Sequence, residues 1–356
     1  MLRSRPRPPA PQLDAILDRA ADAFDQEQFQ TALAQAEEAL ALVPRSAEAL
    51  HFKAAALVEL ERSAEAREFY SQALREAPET PELLLGLADL LIATAGEERE
   101  ALAEGVALAA RGRKLCRKRG LPELQFEFAL LEGTALNQVG ECTQALERLD
   151  EALSLIPESL DALLERGISH FELCRFDLAR ADLTAVLEAE EADPFAHHYL
   201  GLIAERAGDP KEARRRFSRA TELSAEDFPP PTRLSEAQFD QVVTDAVERL
   251  PSHVKKYLEN TTLAVEPIPT DEDLVGEQPP LSPSILGVFR GTPVGERSFA
   301  NAADHFTASI VLYQRNLERF ARSREELIEQ IGITLMHEVG HLIGLDEEEL
   351  WERGLD

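Results

Sequence analysis

The sequence of 356 residues carries 37 Lys and Arg against 66 Asp and Glu, a formal charge of −29. A field of that sign repels phosphate backbones, which excludes nucleic acid as the expected partner and favours basic or neutral polypeptides. Hydrophobic residues make up 44%, enough for more than one buried core, yet no stretch reaches the run of about eighteen apolar residues that a membrane span needs.

Residues 1–12 are basic and proline-rich with no apolar segment behind them, so they are expected to be disordered and to act as neither signal peptide nor anchor. From Leu13 onward a helical pattern recurs. Pro44 and Pro78 close successive units 34 residues apart. The second unit shows the pattern best, with Leu50, Ala54 and Leu57 on one helix, then Ala66, Tyr70 and Ala73 on the next. Small residues recur where two helices must approach closely, and the closing proline cannot continue the second helix. Equivalent sets follow at Gly133, Leu136, Ala145 and Pro157, at Leu163, Gly167 and Phe176, and at Gly201, Ala213 and Phe217. A stretched copy at Leu84, Ala88 and Leu91 is expected to have a longer turn around 96–104. The run Arg111, Arg113, Lys114, Arg117, Lys118 and Arg119 is the one cationic cluster, either a solvated helix face or a docking patch for an acidic segment. Cys116, Cys142 and Cys174 form no C-x-x-C pair, which points to free thiols in a reducing, cytoplasmic setting.

Taken together, these residues resemble a tetratricopeptide repeat array of about six units over 13–226. The resemblance implies an all-α superhelix whose concave groove binds a protein or peptide segment.

The prolines of 227–234 break the helical pattern and read as a stiff connector. Ser235 and Gln238 then form a capping box ahead of Phe239, Val242, Val243, Ala246 and Leu250 at helical spacing. Leu263–Ile268 alternates as a strand, with Pro267 pushing it toward an edge. Residues 271–282 are acidic and contain prolines, as a mobile surface loop would. Ile285–Arg290 and Ala308–Tyr313 read as further strands, the second as the edge that aligns an extended substrate. Ser323 with Glu326 caps a long final helix.

That final helix carries His337-Glu338-x-x-His341. Two imidazoles four residues apart lie one turn apart on one face and can share a Zn²⁺ at about 2.0–2.1 Å each. Glu338 sits beside them, where a carboxylate can act as general base. Gly344 tolerates positive φ and ends the helix, so the chain can bend back and offer Asp346 or Glu347 as a third, anionic ligand.

Residues 235–356 resemble the minimal zincin-like metallopeptidase domain of bacteria. The similarity rests on Leu286-Gly287-Val288-Phe289-x-Gly291 and on His337-Glu338-x-Gly340-His341-x-x-Gly344. In that family the residue ten after the first histidine is typically Asp and the third ligand; here it is Glu347, with Asp346 one before it. The implied fold is a small α+β domain following the helical repeats. The implied activity is zinc-dependent hydrolysis of peptide bonds through a metal-activated water, with the repeats binding substrates or partners. The competing reading is an interaction scaffold whose zincin-like domain binds metal without cleaving. Tyr313, His305 and Arg290 are the polar candidates for stabilising an oxyanion.

Overall fold

Prolines and left-handed residues set the helix boundaries in the first two thirds. The computed structural model describes residues 10–96, 98–259, 261–276, 278–294 and 308–354, apart from the side chains of Ala10 and His253. The expected disordered segment thus lies outside the described residues up to position 9, and so does His305. Six helix pairs follow in order. They are α1 (Ala10–Asp25) with α2 (Phe29–Leu42), α3 (Ala47–Glu59) with α4 (Ser63–Glu76), and α5 (Pro81–Thr94) with α6 (Arg99–Arg119). Next come α7 (Pro122–Gln138) with α8 (Cys142–Leu155), α9 (Leu160–Glu172) with α10 (Phe176–Ala189), and α11 (Pro194–Arg206) with α12 (Pro210–Leu223).

Pro81, Pro122, Pro194 and Pro210 each open a helix, where the missing N–H costs nothing. Inside each pair the turn holds one residue at positive φ: Glu27, Glu61, Gly96, Gly140, Cys174 and Gly208. Glu27 and Glu61 lie 34 apart, and Gly140, Cys174 and Gly208 repeat that spacing. The structure therefore carries the repeat period in its turns as well as in its prolines. The stretched copy differs from expectation. Its turn is short, because Arg99 already begins α6, and the extra residues lengthen that helix to 21.

The chain divides into two compact units, Met1–Arg166 and Gly167–Asp356. In the first, fully buried alanines such as Ala32, Ala54, Ala66, Ala88, Ala129 and Ala145 let neighbouring helices close up. Contacts run in series from α1 to α3, α3 to α5 and α5 to α7, so these helices form one continuous layer. The cationic run of α6 is largely consumed internally. Arg113 is buried and pairs with Glu132 and Glu151 at 2.7 Å each, Arg117 with Glu151 at 2.7 Å, and Arg119 with Glu79 at 3.0 Å.

In the second unit α13 (Glu236–Arg249) starts at the expected capping box of Ser235 and Gln238, followed by α14 (Ser252–Leu258). A three-stranded sheet has the order β1 (Thr261–Glu266), β3 (Ala308–Tyr313), β2 (Gly287–Arg290). β1 runs parallel to β3 and β2 antiparallel to it. β3 is thus central rather than an edge; its burial on both faces, with Ile310, Val311, Leu312 and Tyr313 all fully enclosed, explains its unbroken apolar run. α16 (Gln314–Phe320) leads to α17 (Arg324–Ile343) and α18 (Glu347–Glu352).

The acidic loop is a docked element. It contains one helical turn, α15 (Asp271–Leu274). On one side Arg206 of α11 donates to the Pro269 carbonyl at 3.0 Å and to Asp271 at 2.6 Å. On the other, Asp273 accepts from Arg290 at 2.6 Å and from the Tyr313 hydroxyl at 3.0 Å. Glu205, also on α11, pairs with Arg315 at 3.1 Å and with Arg319.

Candidate metal centre

Leu327, Ile331, Leu335, Val339 and Leu342 bury one side of α17 against the sheet and α13. Its opposite side is open, since Ile333 and Ile343 are more than a third exposed. His337 and His341 stand on the open side, about a quarter exposed. Their Nε2 atoms converge to 3.1 Å. Two ligands of a tetrahedral ion at about 2.05 Å would be about 3.3 Å apart. Nδ1 of His341 lies 3.1 Å from the Leu345 carbonyl. A carbonyl can only accept, so the proton resides on Nδ1 and the Nε2 lone pair is free for a metal.

Gly344 caps α17 at φ +93° and reverses the chain. Gly340 lets α18 return tightly over the helix, for a Cβ there would fall 2.2 Å from Leu350 Cδ2. This turn puts the Glu347 carboxylate 3.4 Å from His341 Nε2 and 3.8 Å from His337 Nε2. One ligand atom from each of the three residues lies within 4.8 Å of the others. Asp346 is used differently. It is the N-cap of α18, accepting from the Glu349 N–H at 2.9 Å, while Glu349 accepts from the Asp346 N–H at 3.2 Å. Two imidazole nitrogens and a carboxylate make a donor set that suits zinc and leaves a fourth position open.

Glu338 points the other way round the helix, into the protein, and is only 4% exposed. It faces β2, where the Phe289 N–H donates to its carboxylate. A Cβ on Gly287 would lie 3.0 Å from Glu338 Oε1 and 2.8 Å from Thr334 Cγ2. Glycine is therefore required for the carboxylate to fit beneath the strand. Burial, and secondarily the charge of Glu347, push the Glu338 carboxyl up to about 8 against the pull of the Phe289 N–H. A cation held by Glu347 would remove the second of these influences.

Two of the oxyanion candidates are committed elsewhere. Arg290 is saturated by Glu266 at 2.9 Å and Asp273 at 2.6 Å. Tyr313 is fully buried, with its hydroxyl on Asp273. Both belong to the network that seats α15. The residues that sequence reasoning passed over as site components are Gly287, the Phe289 N–H and the Leu345 carbonyl. Only Gly287 left a signal, as a lone glycine inside a strand pattern.

Comparison with known proteins finds matches for both parts of the chain. Residues 258–355 match the zincin-like metallopeptidase family. Residues 17–81, 130–196 and 164–228 match tetratricopeptide repeats. Among solved structures the chain is similar to PilF of Pseudomonas aeruginosa, at 16% identity over 64% of this chain and 96% of that one, with a TM-score of 0.51. It is likewise similar to PilW, a type IV pilus biogenesis factor, at 18% identity over 59% and 92%, also with a TM-score of 0.51. At such identities these likenesses show the fold alone. The chain thus joins tetratricopeptide repeats to a zincin-like metallopeptidase domain, and among its described residues no helix is long and apolar enough to cross a membrane.

Proposed function

We propose that this protein is a zinc-dependent peptidase in which His337, His341 and Glu347 hold the metal, Glu338 is the general base, and the repeats bind protein substrates or partners. The observation that carries the reading is the meeting of two imidazole nitrogens and one carboxylate directly beside a buried, separately oriented glutamate. A structural metal site would have no use for Glu338, whose burial is costly without a task. Its working parts follow the chain: repeats over 13–226, a connector over 227–234 and the peptidase domain over 235–356.

Zinc bound by these ligands supplies Lewis acidity toward a carbonyl oxygen and toward water. Everything else falls to side chains and backbone. A cation on Glu347 would draw the carboxyl down from about 8 toward its charged form, in which Glu338 can take a proton from water and pass it to the leaving amine. The Phe289 N–H fixes one carboxylate oxygen and leaves the other for the reacting proton. Tyr313 N–H bonds to the Leu286 carbonyl, and by the alternation of antiparallel pairs Gly287 and Phe289 then face away from β3. Their carbonyls can align an extended substrate beside Glu338. The acid cap on α18 argues for Glu347 over Asp346 as third ligand.

The test is metal binding by the metal-free protein. Wild type is expected to take up one equivalent of zinc, and His337→Ala, His341→Ala and Glu347→Ala to lose it. Zinc uptake that survives all three substitutions would reject the site. Zinc uptake without any peptide cleavage would leave the interaction scaffold as the better reading.

A further inference from the structure

Within the first unit the charges are sorted by helix. α6 alone carries Arg99, Arg111, Arg113, Lys114, Arg117, Lys118 and Arg119, whereas α5 and α7 contain no Lys or Arg at all. The acids of α2, α4 and α8 are mostly neutralised in place. Glu37 pairs with Lys53, Glu65 with Arg62, Glu76 with Arg45, and Glu151 with Arg113.

The layer formed by α3, α5, α7 and the start of α9 is different. Glu82 and Asp89 lie seven residues apart on one face of α5, Glu123 and Glu127 four apart on α7, and Asp161 and Glu165 four apart on α9. Glu59 ends α3. Glu59, Glu82, Asp89, Glu123, Glu127 and Asp161 are exposed, and none forms a salt bridge or side-chain hydrogen bond among the described residues. The faces come together: burial and then the charge of Asp161 raise the Glu127 carboxyl, and burial alone raises that of Asp89.

A second observation is independent of these charges. Tyr70 is 96% buried, yet its hydroxyl makes no hydrogen bond to any described residue. The hydroxyl oxygen comes up against Gly86, where a Cβ would lie 2.5 Å from it. Gly86 is between Glu82 and Asp89 on the same face of α5. Burial first, and then the charges of Asp89 and Glu59, hold the proton on the phenol. The ring is enclosed and only the hydroxyl reaches this face, where its oxygen makes no hydrogen bond within the described residues and can accept from a cationic side chain.

We infer that this face is a track for an extended polypeptide rich in Lys or Arg, with Tyr70, Asp89 and Glu59 anchoring one cationic side chain and Glu123, Glu127 and Asp161 receiving others. The inference deepens the proposed function by giving the chemistry of what the repeats bind, and it rests on the reading of those repeats as a polypeptide-binding array. An acidic segment is repelled by the same face, and a nucleic acid likewise.

The test uses the full chain carrying Glu338→Gln, so that cleavage cannot interfere, and fluorescence anisotropy with three labelled decapeptides that alternate Ala with Lys, Gln or Glu. The Lys peptide is expected to bind, the Gln peptide more weakly and the Glu peptide not at all. The combination Glu82→Gln, Asp89→Asn and Glu127→Gln should weaken Lys-peptide binding by about tenfold, the effect of three exposed ion pairs. The control combination Glu68→Gln, Glu100→Gln and Glu141→Gln removes the same charge from exposed positions outside this face and should leave binding within about twofold. Tyr70→Phe should weaken it about threefold at an unchanged melting temperature. Equal loss in both triple variants would reduce the effect to the overall field and overturn the track, as would equal binding of the Glu peptide. Zinc uptake and cleavage are read separately in the protein with native Glu338, so their failure would reject the peptidase reading and leave this one standing.

Discussion

Gly287 of β2 lies directly under Glu338 of α17, so close that a single added methyl carbon would sit 3.0 Å from the carboxylate oxygen. Strand and helix are thereby locked in one register, and the Phe289 N–H two residues on holds the same carboxylate. Gly287→Ala is expected to displace Glu338 by a few tenths of an ångström and lower kcat by about tenfold. Zinc content should stay at one equivalent, because the atoms nearest the added Cβ belong to Thr334 and Glu338 and none to His337, His341 or Glu347. Parallel measurement of kcat and bound zinc checks both halves of the statement.

Asp346 and Glu347 separate by function although they are neighbours. Glu347→Ala is expected to weaken zinc binding by about a hundredfold or more, with little loss of stability. Asp346→Ala removes the cap of α18 and should cost about 1 kcal/mol of stability. Asp346→Asn retains a capping side chain and should behave as wild type in both respects. Competition with a chelating dye and thermal melts resolve the two effects.

Much of this site was legible in the sequence because its parts are local. His337, Glu338 and His341 are fixed relative to one another by helical spacing, and Gly344 marks the helix end by its tolerance of positive φ. The repeat period was legible in its prolines and small residues, but not the turns, where Glu27, Glu61 and Cys174 take positive φ without being glycine and the turn before Arg99 is shorter than expected. What spacing did not reveal depends on contacts between distant segments. The role of Asp346 as a cap is decided by backbone geometry after Gly344, which one residue of slippage would change. The commitment of Arg290 and Tyr313 to Asp273 is a tertiary network, and no periodicity announces it. The central place of β3 follows from pairing order, and an apolar run alone does not distinguish an edge strand covered by helices from a central one.

The Arg113 cluster offers a test of the repeats themselves. Arg113 and Glu132 are both more than nine-tenths buried and 2.7 Å apart. Arg113→Met leaves Glu132 without its closest cation and should destabilise the protein by about 3–5 kcal/mol. The double variant Arg113→Met, Glu132→Leu should recover most of that loss, since two apolar side chains of similar size need no partner. Urea unfolding of the two single variants and the double variant measures the coupling.

Glu27 and Glu61 occupy turn positions where other repeats place Gly96, Gly140 and Gly208, all at positive φ. Replacing either by Gly relieves a left-handed residue bearing a Cβ. Each change should stabilise by about 0.5–1 kcal/mol, the relief being partly offset by the greater freedom of the unfolded chain. Thermal melts of Glu61→Gly against wild type give the sign.

His198 should make the second unit sensitive to acid. Its ring stacks on Phe228 at 4.4 Å and lies 5.6 Å from Phe217. Burial there, followed by the charge of Arg319, lowers it from 6.5 to about 3. Its folded value is depressed, so the unfolded chain binds the proton more readily. The contribution is full above pH 6.5 and falls by roughly 1.4 kcal/mol for each unit of pH toward 3. His198→Phe should flatten the dependence of the melting temperature on pH between about 6 and 4 relative to wild type.

The central claim is that Glu338 performs proton transfer at a metal held by its helical neighbours. Cleavage of an unstructured protein such as casein by zinc-loaded wild type and zinc-loaded Glu338→Gln tests it most directly. Equal zinc in both, with cleavage in wild type and a loss of at least about a hundredfold in the variant, is the predicted result. Equal zinc with equal cleavage, or with none in either protein, would contradict it.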